Sequence, residues 1–417
     1  MYRLTNAVFA GLLGASGWKI GRQSAVISRV TGMSGNNHNV QQMAQANQSG
    51  PLSLTTTRRT IASTVAKITE TLLPSDLVAR MREGRGWKHW ISSLEPQLFD
   101  NLAEAPIEVK RHLFKQHITL VEIEAQAKCN RICTFCPNVI VDRRKNNILT
   151  DAELLDKVFT ELGSIDYRQQ IKFARYSEPL SNIPYLCERI KSARKLIPNA
   201  QLAIVTNTDY LKPGVLDRLR EAGLDRIYMS LYLRRKEKWS LELAHAYTEK
   251  LAKRLGARIL TRSTTPVSLR CTFAYDGIEL LSACMNFEEY GTDRGSTIKQ
   301  YIKQERLGPC REPFETFVID YTGSVMPCCN LRSDFPQHQD FIVGDPSQPG
   351  TSIFDIYAGQ LAAWRRSMIG FDSKGYPCAT CRHRDVPDNL VAQIAAHTEK
   401  HLYKIGRKDL YKPPTGR

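Results

Sequence analysis

The spacing of apolar positions changes period repeatedly through the middle of the chain. His117-Ile-Thr-Leu-Val-Glu-Ile-Glu-Ala125 alternates as a strand does. From Asp151 to Leu162 the apolar residues recur at three and four, which predicts an amphipathic helix with Thr150 as N-cap and Glu153 three residues on. The exchange then repeats. Strands are expected at Ile171–Tyr176, Leu202–Thr206, Arg226–Tyr232 and Val267–Tyr275, with helices near Tyr185–Leu196, Val215–Ala222 and Glu237–Leu255 between them. Strands alternating with helices predict βαβ units and a parallel sheet. Units wound the same way curl into a full or partial barrel, whose working loops lie at the strand C-terminal ends. Upstream, Ile61, Val65, Ile68, Leu72 and Leu73 read as helix, Pro74-Ser-Asp as a break, and Arg80–Trp90 as a second helix that buries Trp87 and Trp90.

Composition narrows the class. A chain of 417 residues has room for two domains and needs no disulfides to build a core. Eleven cysteines, seven of them concentrated in three short motifs, suggest metal in a reducing compartment rather than a secreted framework. No apolar run reaches the roughly 18–20 residues of a membrane-spanning helix, and the expected location is cytoplasmic. The formal charge of +16 is concentrated at the ends. Seven basic residues from Arg3 to Lys67 precede the first acid, Glu70, and Lys400–Arg417 is basic again. Without interleaved aromatics these ends read as solubilising, disordered tails, not as a nucleic-acid site. The acid-free N-terminus also resembles an organellar transit peptide, which makes an organelle the alternative location. The expected divisions are a disordered basic segment at 1–59, a helical extension at 60–115, a barrel at 116–304, a small thiol-rich domain at 305–390 and a basic tail at 391–417.

The candidate chemistry lies in thiols. Cys129, Cys133 and Cys136 stand at C-x3-C-x2-C directly after the first strand. Three thiolates on a compact loop leave one iron of a cubane cluster open; the same residues are also half of a zinc site. A second set comprises Cys310, the adjacent Cys328 and Cys329, and Cys378 and Cys381 at C-x2-C. Asp320-Tyr-Thr-Gly323 predicts a hairpin turn that brings Cys310 and Cys328 together, with a zinc ribbon as the competing reading. Cys187 and Cys271 read as packed thiols, and Cys284 is open.

Beyond the cysteines the chain resembles the radical S-adenosylmethionine (SAM) superfamily. The three-thiol loop, with Phe135 before its last cysteine, is similar to that family's cluster motif. Arg175-Tyr-Ser-Glu-Pro-Leu180 resembles its Gly-Gly-Glu-Pro-Leu segment, with Ser177 in place of a glycine. Thr206-Asn207-Thr208 resembles its Thr-Asn-Gly, and Gly223–Ser230 its fourth-strand segment. The later thiols resemble the twitch domain, a shorter relative of the SPASM domain. The resemblance implies a partial (β/α)6 TIM-type barrel carrying a small α+β twitch domain. It further implies a SAM-binding 4Fe-4S cluster on Cys129, Cys133 and Cys136, and SAM contacts from Phe135, Ser177, Glu178, Asn207 and Ser230. An auxiliary 4Fe-4S cluster is implied on Cys310, Cys328, Cys378 and Cys381, with Cys328 favoured over Cys329 by its spacing from Gly323. No cysteine follows Cys381, which argues against a second auxiliary cluster. Four thiolates leave no iron open, so the auxiliary cluster reads as an electron acceptor in a two-electron oxidation, with an alcohol as the candidate substrate. The alternatives are modification of a peptide or protein and, in another class, a zinc-stabilised nucleic-acid- or membrane-binding protein. The implied partners are a small-molecule or peptide substrate and an electron donor such as flavodoxin or ferredoxin. Anaerobically purified protein is therefore expected to be brown and to hold about eight irons per chain; colourless protein containing zinc would support the binding-protein reading.

Overall fold

The computed structural model describes residues 75–414, apart from 235, 236 and 303. The expectations for residues 1–74, including the first helix and the targeting segment, lie outside the described residues.

The barrel strands form where the alternation placed them: β1 (Leu120–Ile123), β2 (Gln170–Phe173), β3 (Gln201–Thr206) and β4 (Arg226–Leu231). The helices that follow the first three are α3 (Ala152–Ser164), α4 (Ile183–Leu196) and α5 (Pro213–Glu221), and α6 (Leu241–Leu255) follows β4; α1 (Ser75–Ser93) and α2 (Ile107–His117) precede them all. The next strands are β5 (Arg258–Thr265), β6 (Ser268–Ala274) and β7 (Glu279–Met285), and a later hairpin supplies β8 (Thr316–Ile319) and β9 (Val325–Met326). All nine form one sheet in the order β5-β6-β7-β4-β3-β2-β1-β8-β9. From β8 to β7 the six central strands run parallel, whereas β6, β5 and β9 are antiparallel additions at the edges.

Three details depart from the expectation. The fifth expected strand exists as β6, but it runs antiparallel between β5 and β7, and β7 takes the parallel place beside β4. β5 is polar and almost wholly exposed, so it gave no apolar alternation to read. The N-cap of α3 is Asp151, whose side chain accepts from the Glu153 amide. Thr150 is drawn away because its hydroxyl donates to the Glu124 carbonyl, 2.8 Å away, at the end of the β1 segment. The basic C-terminal segment, read as a disordered tail, instead forms α11 (Val391–Lys404), numbered after the short helices α7 (Phe287–Tyr290), α8 (Glu312–Glu315), α9 (Ile353–Ala358) and α10 (Leu361–Met368). Ile394, Ala395 and Leu402 of α11 are buried in the core, and His401 reaches the Leu94 carbonyl at 2.9 Å. Its charges lie on the outer face of an amphipathic helix.

The turn between β8 and β9 is the expected one. Gly323 adopts φ 89°, and a Cβ there would stand 2.7 Å from Leu154, so glycine is required twice over. The parallel pairing of β8 with β1, Leu120 opposite Thr316 through Ile123 opposite Ile319, makes the hairpin an extension of the barrel sheet.

A ring of aromatics locks this join. Phe114 on α2 meets Phe317, Phe354 and Tyr357 at ring-centroid distances of 5.4 Å, each edge to face, and Tyr167 at 6.4 Å. Trp87 and Trp90 are buried as expected, in a T-shaped pair at 5.4 Å. Phe114 is fully buried, so Phe114→Ala is expected to lower unfolding stability by about 3–5 kcal/mol; chemical denaturation of the apo chain measures it, and a loss under about 1 kcal/mol would mean that this ring does not join the segments.

Candidate active site

Parallel strands deliver their C-terminal ends to one rim, and four of those ends build a cavity of about 270 Å³. Cys129, Cys133, Phe135 and Cys136 line it from the loop after β1. Tyr176, Ser177 and Glu178 come from the end of β2, Thr206 and Asn207 from the end of β3, and Tyr232 from just beyond β4. Of the expected SAM contacts, only Ser230 falls outside. It lines a neighbouring cavity of about 240 Å³ with Tyr228 and Ser282, and its hydroxyl reaches the Tyr232 hydroxyl.

The loop is held by its backbone. The Cys136 amide donates to the Cys133 carbonyl at 3.0 Å, and the Glu178 amide to the Lys128 carbonyl at 2.8 Å. Arg131 and Asn130 both donate to Asp209, and Asn207 donates to Asn130 at 2.7 Å, tying the loop to the end of β3. Phe135 stacks on Phe287 at 3.7 Å and 8°, with Tyr232 tilted beside it. Three non-glycine residues at this rim, Arg175, Thr208 and Arg294, hold φ values of 140°, 69° and 51°. Such conformations persist only where the surroundings over-determine them.

Burial raises the Cys129 thiol to about 12, the Cys133 thiol to about 11 and the Cys136 thiol in the same direction. These are neutral sulfurs that become thiolates on binding metal, a donor set that fits a three-cysteine cluster. Glu178 is buried, and burial lifts it to about 7 against three hydrogen bonds: from the Thr206 hydroxyl at 2.6 Å, the Asn207 amide at 2.7 Å and the Leu180 amide at 3.2 Å. A carboxylate has roughly four lone-pair positions, so one direction remains for a cationic ligand in the cavity.

Cys310, Cys328, Cys378 and Cys381 together line a second, smaller pocket, with Arg306, Trp364 and Met368. Burial raises Cys381 to about 12 and moves Cys328 and Cys378 the same way. Cys329 does not share that pocket; it lines the first cavity beside Arg294 and Lys172. Its sulfur lies 3.7 Å from His383, which lies 3.1 Å from Glu312. Glu312, Cys329 and His383 thus cluster within 4.8 Å. Burial works against the charge of Glu312, yet His383 and Arg384 overcome it and hold the carboxylate at about 2. One imidazole nitrogen, Nε2, faces both acid and thiol and links the three side chains. Cys187, Cys271 and Cys284 are packed in the core.

The family description "Radical SAM superfamily" matches residues 123–236. Over 278 residues the chain is 31% identical to the S-adenosyl-L-methionine-dependent 2-deoxy-scyllo-inosamine dehydrogenase of Niallia circulans, covering 64% of this chain and 94% of that protein. The chain belongs to the radical SAM superfamily. Residues 310–387 match the SPASM iron–sulfur cluster-binding domain, so the cofactors of this radical SAM enzyme are SAM and two 4Fe-4S clusters. Among solved structures it is similar to BtrN in complex with AdoMet and 2-DOIA, at 22% identity and a TM-score of 0.42 over 60% of this chain and 87% of that one. It is also similar to anSMEcpe with bound AdoMet, at 12% identity and a TM-score of 0.37 over 69% and 93%.

The sequence did not reveal Asp209, Tyr232, Phe287 or Lys172 as parts of the site; each is an ordinary residue until the strands meet. Arg294, in the loop that follows α7, also lines the cavity. The raised Glu178 has a consequence for folding. A carboxyl whose folded pKa exceeds its unfolded one stabilises the chain below the unfolded value, and that stability is lost as pH rises through the folded one. Between pH 4.5 and about 7 the apo chain should therefore lose stability relative to Glu178→Gln. Parallel denaturation of the two proteins measures this, and an equal pH slope would remove Glu178 as the cause.

Proposed function

We propose that the chain is a radical SAM oxidoreductase that removes two electrons from a small polar substrate, an alcohol, with the auxiliary cluster as electron acceptor. The observation that carries this reading is the division of Cys328 and Cys329: neighbours in sequence, they line the four-thiol pocket and the SAM-side cavity respectively. Substrate and acceptor would stand one residue apart.

Cys129, Cys133 and Cys136 would hold the first cluster, leaving one iron for the amino and carboxylate groups of SAM. When bound, this cofactor supplies a 5′-deoxyadenosyl radical that removes hydrogen from an unactivated C–H. The remaining work falls to side chains. Glu178, through its one free direction, and the Ser177 backbone would receive the ammonium group of SAM. Asn207 would bind the cofactor from the end of β3, and Phe135, braced by Phe287, would pack against it and exclude water. Ser230, away from the cavity, would act only through Tyr232. Cys310, Cys328, Cys378 and Cys381 would ligate the auxiliary cluster fully, which disfavours substrate coordination and favours electron transfer. The relative from Niallia circulans is named a dehydrogenase of 2-deoxy-scyllo-inosamine, and this supports a cyclic alcohol. A flavodoxin or ferredoxin would supply the electron for SAM cleavage. No helix of the described residues is long and apolar enough to cross a membrane.

Replacing Cys129, Cys133 and Cys136 by serine should abolish deoxyadenosine formation and leave about four irons per chain. Cys328→Ser should lose the auxiliary cluster, whereas Cys329→Ser should keep it; iron analysis with the reverse pattern would exchange their roles. An anaerobic screen of cyclic polyols and aminocyclitols, read by deoxyadenosine and product mass, tests the reaction. A product that is not two electrons more oxidised than its substrate would refute the oxidation.

A further inference from the structure

Arg306 is a buried cation whose ion pair, to the equally buried Asp385, is long. Its side chain is 1% exposed, yet its hydrogen bonds go to backbone carbonyls: Gly308 at 3.1 Å, Cys381 at 2.9 Å, His383 at 2.8 Å, and also Pro309 and Arg384. The nearest acid, Asp385, is 3.9 Å away and is itself bound by Arg382 at 2.9 Å. An arginine keeps its charge even in such surroundings. Arg306 lines the four-thiol pocket and, besides Asp385, interacts electrostatically with Cys310, Cys381 and Cys378.

Glu312 also lines this pocket, and behind the Cys378–Cys381 loop, outside the pocket lining, stands a second carboxylate of opposite effect to Arg306. Asp293 is fully buried, accepts the Thr380 hydroxyl at 2.6 Å through one oxygen, and leaves the other without a partner among the described residues. Thr380 lies inside the Cys378–Cys381 loop, and Asp293 acts electrostatically on both of those thiols. A polar contact from Asn330 to the Cys381 sulfur, at 3.8 Å, adds a donor to the same side.

Reduction places one more electron on a cluster already made anionic by four thiolates. A nearby positive charge stabilises the reduced form, a nearby negative charge opposes it, and donors to sulfur act as the positive charge does. We propose that Arg306 and Asp293 set the reduction potential of the auxiliary cluster, Arg306 raising it toward electron acceptance and Asp293 holding it down. This rests on the reading of Cys310, Cys328, Cys378 and Cys381 as cluster ligands. Both are tuning residues, distinct from the groups that touch substrate. The bracing of Arg306 by the carbonyls of Cys381, His383 and Arg384 explains why an arginine is used. Its five donors hold the loop while the charge stays beside the sulfurs.

The test uses the full chain with Cys129, Cys133 and Cys136 replaced by serine, so that only the auxiliary signal remains, in an EPR-monitored redox titration. Arg306→Gln should shift the midpoint to a more negative potential, Arg306→Lys should stay near the parent, and Asp293→Asn should shift it to a less negative one. A glutamine variant with full iron content and an unchanged or less negative midpoint overturns the proposal. If the glutamine variant fails to assemble a cluster, Asp293→Asn and Arg306→Lys decide. A less negative asparagine variant with a parent-like lysine variant sustains the proposal, and an unmoved asparagine variant overturns it. A parent background that holds no iron would overturn the four-thiol reading itself, an outcome separable from an iron-loaded protein whose midpoint does not move.

Discussion

The carboxylate of Glu124, at the end of β1, fixes how the two thiol sites face one another. It is fully buried, and burial raises its pKa, opposed by Arg143. Its Oε1 takes the Arg143 guanidinium at 2.7 Å and the Tyr176 amide at 2.9 Å, joining β1, the cluster loop and the end of β2. Arg143 also reaches Asp334 at 2.9 Å, and Asp334 is held by Arg332, which donates to Asn138 beside the last cysteine of the loop at 2.9 Å. A buried charge tolerates little freedom in its partners, because each unpaired group costs several kcal/mol, on the order of 3–5 when one member of a pair is lost. The network therefore specifies one arrangement of the three-thiol loop against the segment that follows Cys328 and Cys329.

That arrangement divides neighbouring residues between the two sites where the chain turns. Cys328 and Cys329 line different pockets, and Asp293 accepts from Thr380 in the auxiliary loop while Arg294 lines the SAM-side cavity. Two short stretches thus form the partition between the sites, each contributing one side chain to either face. The parallel pairing of β8 with β1 supplies the rigid frame for this partition, since the hairpin carrying Cys328 grows from the same sheet as the cluster loop.

The charges around the two thiol sets differ in a way that matches their ligand counts. The three-thiol loop faces a cavity that also holds Glu178, with one lone-pair direction left over, so cluster and cavity both remain open to a ligand. The four-thiol pocket is lined by Trp364 and Met368 among others, and its cation, Arg306, gives its hydrogen bonds to backbone carbonyls. One site is built to bind and the other to hold charge.

Much of this was legible in the residues themselves. Apolar alternation located β1 to β4 within a few residues, because buried strands cannot hide their period, and thiol spacing marked the two groups of sulfurs that the fold gathers. The Asp-Tyr-Thr-Gly turn announced its hairpin through the one residue that accepts φ 89°. What stayed illegible was whatever depends on partners distant in sequence. The exposed edge strand β5 carries no burial pattern, and α11 looked like a basic tail because only its packed face is apolar. Ser230 matched in sequence and yet lies off the cavity. Tyr232, Phe287, Lys172 and Arg294 acquire meaning only where strand ends converge, and no local signal separates Cys328 from Cys329 beyond one spacing. The sequence determined which chemistry the chain carries, since that depends on residue type and short spacing. The tertiary structure alone decided which side chains face which cavity, since that depends on sheet register and on the buried charges that hold it.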